Sequence, residues 1–295
     1  MADFLLLAFL IMITAAIWPV GRWGTKGDGS GAVMGFWTSL TAGLGGLAFV
    51  MVRRVPVQLP EVLAAGSLMG VAYAAGFCIV MMHCLKTGPA GPTATVNSVT
   101  MVSGVLYNWL WLSPQRPTPL LTAGVAGVCA SLGLIGMSKS YGAGKTVRIT
   151  PAWLRLLMLG GAFAALSYAA QTHNAMRHPG ADNGVLFVTA AFVTSALILL
   201  PLMLRSRGFR RRPELIAGIA IGVVNLTAIP IRMAIMPRLG PEVVLPVAIA
   251  TPIVLVLLIG RIFYGERLNG RALAGCAIAV AAIAALGYAA GTKPR

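Results

Sequence analysis

Acidic side chains are nearly missing from this sequence: Asp and Glu together number 7 in 295 residues. Charged residues of both signs make up only 10% of the chain, against 58% hydrophobic, where an average soluble domain carries about 25% charged residues. So few charges cannot cover a water-facing surface, which excludes a soluble globular protein. So apolar a chain also excludes intrinsic disorder. Cysteine is scarce as well. Cys78, Cys84, Cys129 and Cys276 fall inside apolar stretches without CxxC spacing, which excludes a disulfide scaffold and leaves thiols packed as small hydrophobes. No P-loop, nucleophile elbow, HExxH or paired-carboxylate constellation occurs, so the common hydrolase chemistries have no motif here and no cofactor or metal is implied.

What the chain has in quantity is long apolar sequence, with a mean hydropathy of +0.84. A helix needs about 20 residues to cross a bilayer core of ~30 Å. Apolar windows between charged or Pro/Gly-rich breaks predict ten such helices, at 3–20, 31–52, 61–84, 92–112, 117–137, 153–175, 184–204, 214–236, 242–262 and 270–290. The expected class is an all-α integral membrane protein. The net charge of +16 does not indicate nucleic acid, because Lys and Arg sit between the apolar runs, where they anchor helices at the bilayer interface. The first run begins at Asp3 with no basic leader and is expected to be a retained helix.

The longest connection, Ser138 to Pro151, falls near the middle, and the two sides of it echo each other. Gly70-Val71 returns as Gly222-Val223 and Gly88-Pro89 as Gly240-Pro241, both at a spacing of 152. Pro60-Glu61 returns as Pro213-Glu214 at 153, and Gly124 and Gly136 return as Gly275 and Gly287 at 151. This predicts a first five-helix repeat over 1–137, a connector at 138–151 and a second repeat over 152–295. Five is odd, so the second repeat enters the membrane from the opposite side. Inverted repeats of this kind are typical of secondary transporters, with binding sites between the halves.

The last fifth carries RLGPEVVLPVAIATP from Arg238, then GERLNGRALAG and a small-residue helix ending GYAAG. This resembles the second repeat of the ten-helix EamA-type branch of the drug/metabolite transporter superfamily, with Pro252 as its penultimate-helix proline and Glu266-Arg267 as its loop pair. The first repeat departs from the pattern: Trp111-Leu112-Ser113-Pro114-Gln115-Arg116 replaces the Glu-Arg loop. The resemblance implies a metabolite exporter, multi-pass in a cell membrane such as a bacterial inner membrane, with both termini in the cytoplasm. The distribution of Lys and Arg implies the reverse orientation, because most of them fall in the odd-numbered loops.

Polar residues within spans are the candidates for function, since a central Arg costs roughly 2.5–3.5 kcal/mol on insertion scales. Arg232 lies in the eighth span shortly after Pro230, and Asn225 precedes it by seven residues on the same face. Two roles fit Arg232: a contact for a substrate carboxylate or phosphate, or a snorkelling or helix-tying residue. Tyr73 is the repeat counterpart of Asn225. Trp18 in the first span, Asn97 in the fourth, and Tyr168 and Gln171 in the sixth complete the expected substrate-binding set, as walls of a hollow or as ordinary packing groups. Small residues on the fifth and tenth spans predict that these helices pack together or form a face between two copies of the chain. No Asp or Glu occupies the middle of a span, which argues against lipophilic cations as cargo.

The function expected is alternating-access transport of small polar metabolites such as amino acids, by a protein that is not an enzyme. The alternatives are a sugar-phosphate or nucleotide-sugar exchanger, which would need more than one converging cation, and an intramembrane enzyme on lipid-linked substrates.

Overall fold

The computed structural model describes residues 2–24, 29–56, 60–87, 90–113, 117–136, 150–206, 212–264 and 270–291. Every regular element among them is helical: α1 (Ala2–Ala15), α2 (Ile17–Gly24), α3 (Gly31–Arg53), α4 (Pro60–Ala72), a π-helical stretch π1 (Tyr73–Met81), α5 (Met82–Thr87), α6 (Ala90–Val99), α7 (Val102–Tyr107), a second π-helical stretch π2 (Asn108–Leu112), α8 (Pro119–Gly136), α9 (Pro151–Arg177), α10 (Ala181–Arg205), α11 (Arg212–Leu239), α12 (Pro241–Tyr264) and α13 (Gly270–Gly291). Proline opens α4, α8, α9 and α12, where its missing N–H has no partner to lose. At α9 the Thr150 hydroxyl also accepts the Trp153 N–H at 3.2 Å, capping the first turn.

Among the described residues, six helices are long and apolar enough to cross a membrane: Gly31–Arg53, Pro60–Cys84, Pro151–Arg177, Ala181–Arg205, Arg212–Leu239 and Gly270–Ala289. Large apolar side chains such as Leu5, Met12, Met51, Leu110, Met158, Leu197 and Leu204 point outward around the bundle. Water would penalise that surface heavily and lipid would not. The chain is a membrane-embedded, all-helical protein.

The sequence read three spans as uninterrupted that the structure breaks. The first parts at Ala16 because Pro19 has no N–H to return to the Ala15 carbonyl. The third widens into π1, where the Met82 N–H bonds to Phe77 O, five residues back. The fourth parts between α6 and α7. There the Thr100 hydroxyl bonds back to Asn97 O and the Ser103 hydroxyl to Thr100 O, both at 2.7 Å, competing with the backbone ladder. The connector at 138–149 and the Glu266-Arg267 pair lie outside the described residues.

Contacts along the helices give their directions. Helices α3 and α10 are antiparallel: Ser39 Oγ shares a 2.9 Å hydrogen bond with Ser195 Oγ, Gly35 lies by Leu199 and Gly46 by Thr189. Helix α11 runs parallel to α3, with Gly218 by Met34 and Gly222 by Thr41, and α4 runs parallel to α10, with Gly66 by Phe187 and Gly70 by Ala191. Antiparallel to α4 and π1 is α9: His178 pairs with Glu61 near one end, and Trp153 Nε1 donates to Cys84 O at 3.1 Å near the other. The Arg238–Asp3 ion pair at 2.9 Å then brings the end of α11 to the start of α1. The starts of α1, α4 and α10 and the ends of α3, α9 and α11 therefore share one face of the bundle, the proximal face. The start of α9 lies at the opposite, distal face.

Packing partners follow a pattern. Helix α3 packs on α10 and α11, and α10 packs on α3 and α4; α1 packs on α11 and α12, and α9 packs on α4 and α7; α8 packs on α13. The last pair carries the small-residue stripes. A Cβ at Gly275 would stand 2.9 Å from Ser131 O, and one at Gly124 would meet Leu286 at 2.7 Å. Gly124 and Gly275 are thus used in a contact within the chain. The principal core joins both halves through Met101, Leu245, Phe187, Phe192, Met236 and Leu286.

Candidate functional site

Three of the residues singled out in the sequence meet in one place. Helix α11 carries Arg232 seven residues before its end, roughly 10 Å below the proximal face at 1.5 Å per residue. Helix α9 carries Gln171 at a matching depth. The Arg232 Nη2 donates to Gln171 Oε1, and Gln171 Nε2 in turn donates to Ser167 Oγ at 3.3 Å. Tyr168, one turn nearer the distal face, turns its ring toward the guanidinium, whose Cζ stands 5.9 Å from the ring centroid. The spacing 167, 168, 171 places all three on adjacent rows of one α9 surface. Arg232 is 9% exposed and Gln171 2% exposed, so this is a buried cation held by a neutral amide and an aromatic face. Among the described residues no carboxylate pairs with it.

Tyr168 and Tyr73 are both half-buried. Tyr73 opens π1, stacks on Phe77 at 5.4 Å and meets Phe192 edge-on at 5.3 Å. Because α4–π1 and α9 are antiparallel with 61 opposite 178 and 84 opposite 153, position 73 falls about one turn from the level of Tyr168. Wide π turns occur often at functional sites.

The remaining expected residues are not drawn into the cluster. Asn225 is half-buried, nearly two turns from Arg232, and its amide makes no hydrogen bond among the described residues. Asn97 is half-buried and accepts the Thr100 hydroxyl through its backbone carbonyl only. Trp18 belongs to α2, and its side chain lies outside the described residues.

Sequence reasoning did not single out as candidates Glu242, which lies between this cluster and the proximal face, or Glu214, which lies at the distal start of α11. Both occupy the first turns of their helices, α12 and α11 respectively. They are also buried, at 3% and 1% exposure. Gly240, with φ at +86°, makes the tight turn from α11 into α12 that only glycine adopts freely, and this folds Glu242 inward to within 3.4 Å of Asn108 Nδ2 on π2. Glu214 Oε1 accepts the Ser30 N–H in front of α3. Tyr107 Oη shares a 2.9 Å hydrogen bond with His173 Nδ1 and stacks on Trp111. Asn174 is completely buried, and neither amide atom has a hydrogen-bond partner among the described residues. The one sequence signal was the Pro-Glu pair that begins α4 and α12 and lies near the start of α11. No group of three or more His, Cys, Asp or Glu that could hold a metal occurs among the described residues.

No protein-family model and no curated protein matches the chain. A solved protein crystal structure matches it over 98% of each chain with a TM-score of 0.73 at 17% sequence identity. At that identity the likeness is one of fold, and it extends over nearly the whole chain.

Proposed function

We propose that this protein is a secondary transporter of small polar metabolites such as amino acids, built as two inverted five-helix repeats and of the EamA type that its last fifth resembles. The observation that carries the reading is the exchange symmetry of the packing. With α1–α2, α3, α4–π1–α5, α6–α7–π2 and α8 as the five columns of the first half and α9 to α13 as those of the second, the largest contacts between the halves come in matched pairs. The contact of α3 with α11 matches that of α10 with α4, and those of α1 with α11 and α12 match those of α9 with α4 and α7. The second and fifth columns pack antiparallel on their own counterparts, as an inverted relation requires. Opposite placement of the starts of α1 and α9 agrees with five crossings between them.

Such folds bind cargo between the halves. Arg232 on the second half's third column and Gln171 with Tyr168 on its first column form the polar lining of that hollow, with Tyr73 and Asn225 facing it from opposite halves at half-buried positions. The hydrogen bond from Arg232 to Gln171 joins α11 to α9 within the second half. The reading includes export, and a bacterial inner membrane as its location, through the resemblance alone.

Counterflow in proteoliposomes tests this. Vesicles loaded with one metabolite from a panel of amino acids and small organic acids are expected to accumulate the labelled form of the same compound unchanged, and Arg232→Ala to lose at least about 90% of that rate. Normal flux in Arg232→Ala would remove the site; chemical alteration of the cargo would favour an enzyme. For the topology, single cysteines placed at Ala2 and at Ala152 on a background lacking the native cysteines should react with an impermeant maleimide from opposite sides. Labelling from one side would sink the inverted arrangement.

A further inference from the structure

The guanidinium of Arg232 presents two parallel donors along one edge, Nε–H and Nη2–H. Gln171 Oε1 covers the second; the first is buried and has no hydrogen-bond partner among the described residues. A neutral carbonyl oxygen thus fills half of a two-pronged edge that a planar carboxylate matches in full, and charge-assisted bidentate pairs are the stronger kind. Among the described residues the site also lacks an anion. A cation 9% exposed and without a carboxylate partner is unfavourable in a low-dielectric interior, so an anionic ligand supplies both the missing charge and the missing acceptor. The shape of the anion follows from the same atoms: a phosphate dianion calls for converging cations, and the groups around Arg232 are an amide, a hydroxyl and a phenol ring.

We infer that Arg232 is the receptor for the carboxylate of a small monoanionic or zwitterionic ligand, and that binding displaces the Gln171 amide from its guanidinium. This rests on the transport reading for the place of the site but not for the binding itself. Displacement has a mechanical consequence. The Gln171–Arg232 bond ties α9 to α11, so a ligand that takes over the guanidinium releases that tie, and occupancy and loosening of the proximal half are linked by one exchange of acceptors.

The test uses the purified full chain in detergent, with ligand affinity read from shifts of thermal unfolding at constant ionic strength. Each probe carboxylate (a panel of amino acids and small monocarboxylic acids) is compared with its own carboxamide and with inorganic phosphate. At least one carboxylate should bind about tenfold or more tightly than its carboxamide, the value of one charge-assisted hydrogen bond. Arg232→Gln should erase that preference. Because Arg232→Gln can also weaken folding, Gln171→Glu provides a second route: its carboxylate occupies the edge permanently, so the midpoint without ligand should rise and carboxylate affinity should fall about tenfold or more. The inference is overturned by a panel in which no carboxylate outcompetes its carboxamide, by a preference that survives Arg232→Gln, by tighter binding of phosphate, or by a Gln171→Glu protein that behaves as wild type. Loss of flux with the carboxylate preference intact would overturn the transport reading alone.

Discussion

Gly70→Val is expected to leave little folded protein. At this point α4 lies against the backbone of α10: a Cβ at Gly70 would stand 2.9 Å from Thr194 Cβ and 3.0 Å from the Ala191 carbonyl carbon, and closer still to the Ala191 oxygen. Flexible side chains can step aside, but a helix backbone cannot. Overpacking usually costs about 1–3 kcal/mol, and a collision with main chain on a long helix interface belongs at or above the top of that range. The α4–α10 contact also joins the two halves, so its loss separates them. Monodisperse yield by fluorescence-detected size exclusion, together with the thermal midpoint of whatever survives, measures the effect. Gly133→Ala and Gly287→Ala are the controls, because a Cβ at either position meets nothing within 4 Å. Both should stay within about 0.5 kcal/mol of wild type. A Gly70→Val protein as stable as those controls would show that α4 and α10 do not approach as described.

Arg232→Met combined with Gln171→Met is expected to abolish transport while raising stability. Replacing buried ionic groups by well-packed apolar ones of similar volume is often neutral or stabilising by about 1–4 kcal/mol. Here the gain is favoured because the cation has a neutral partner and one orphaned N–H. Arg232→Met alone should gain less, since it strands the Gln171 oxygen, and an unsatisfied buried acceptor costs about 1–3 kcal/mol. A site kept at the expense of stability is the mark of a residue retained for function. Counterflow and thermal melting on the same preparations separate the two quantities. A double variant that melts far below wild type would assign the pair a structural role as a helix tie, the blander of the two roles the sequence left for Arg232.

The surface ion pair gives the contrasting case. Arg238 and Asp3 meet at 2.9 Å, but the Arg238 side chain is largely exposed, and exposed pairs contribute about 0–1 kcal/mol. Arg238→Gln should therefore move the thermal midpoint little.

Membrane residence and helical class were legible from residues alone because they depend on quantities that add along the chain. A near absence of acidic groups and long apolar windows mean the same thing in any order of packing. The Pro-started helices were legible for a similar reason, since a missing N–H acts locally. Arg232 and Gln171 could be marked singly, as polar groups where hydrocarbon penalises them. What no periodicity contains is which of them meet. Gln171 reaches Arg232 and Asn225 does not, and this depends on the antiparallel fit of α9 against α4 and on where α11 lies over it. The inward turn of Glu242 required the left-handed backbone at Gly240, which converts an ordinary helix-start carboxylate into a buried one. Hydrophobicity and local stereochemistry determined that this chain enters a bilayer as helices; only the contacts between distant helices decided which polar groups meet, because burial and pairing are properties of neighbours that the linear order does not specify.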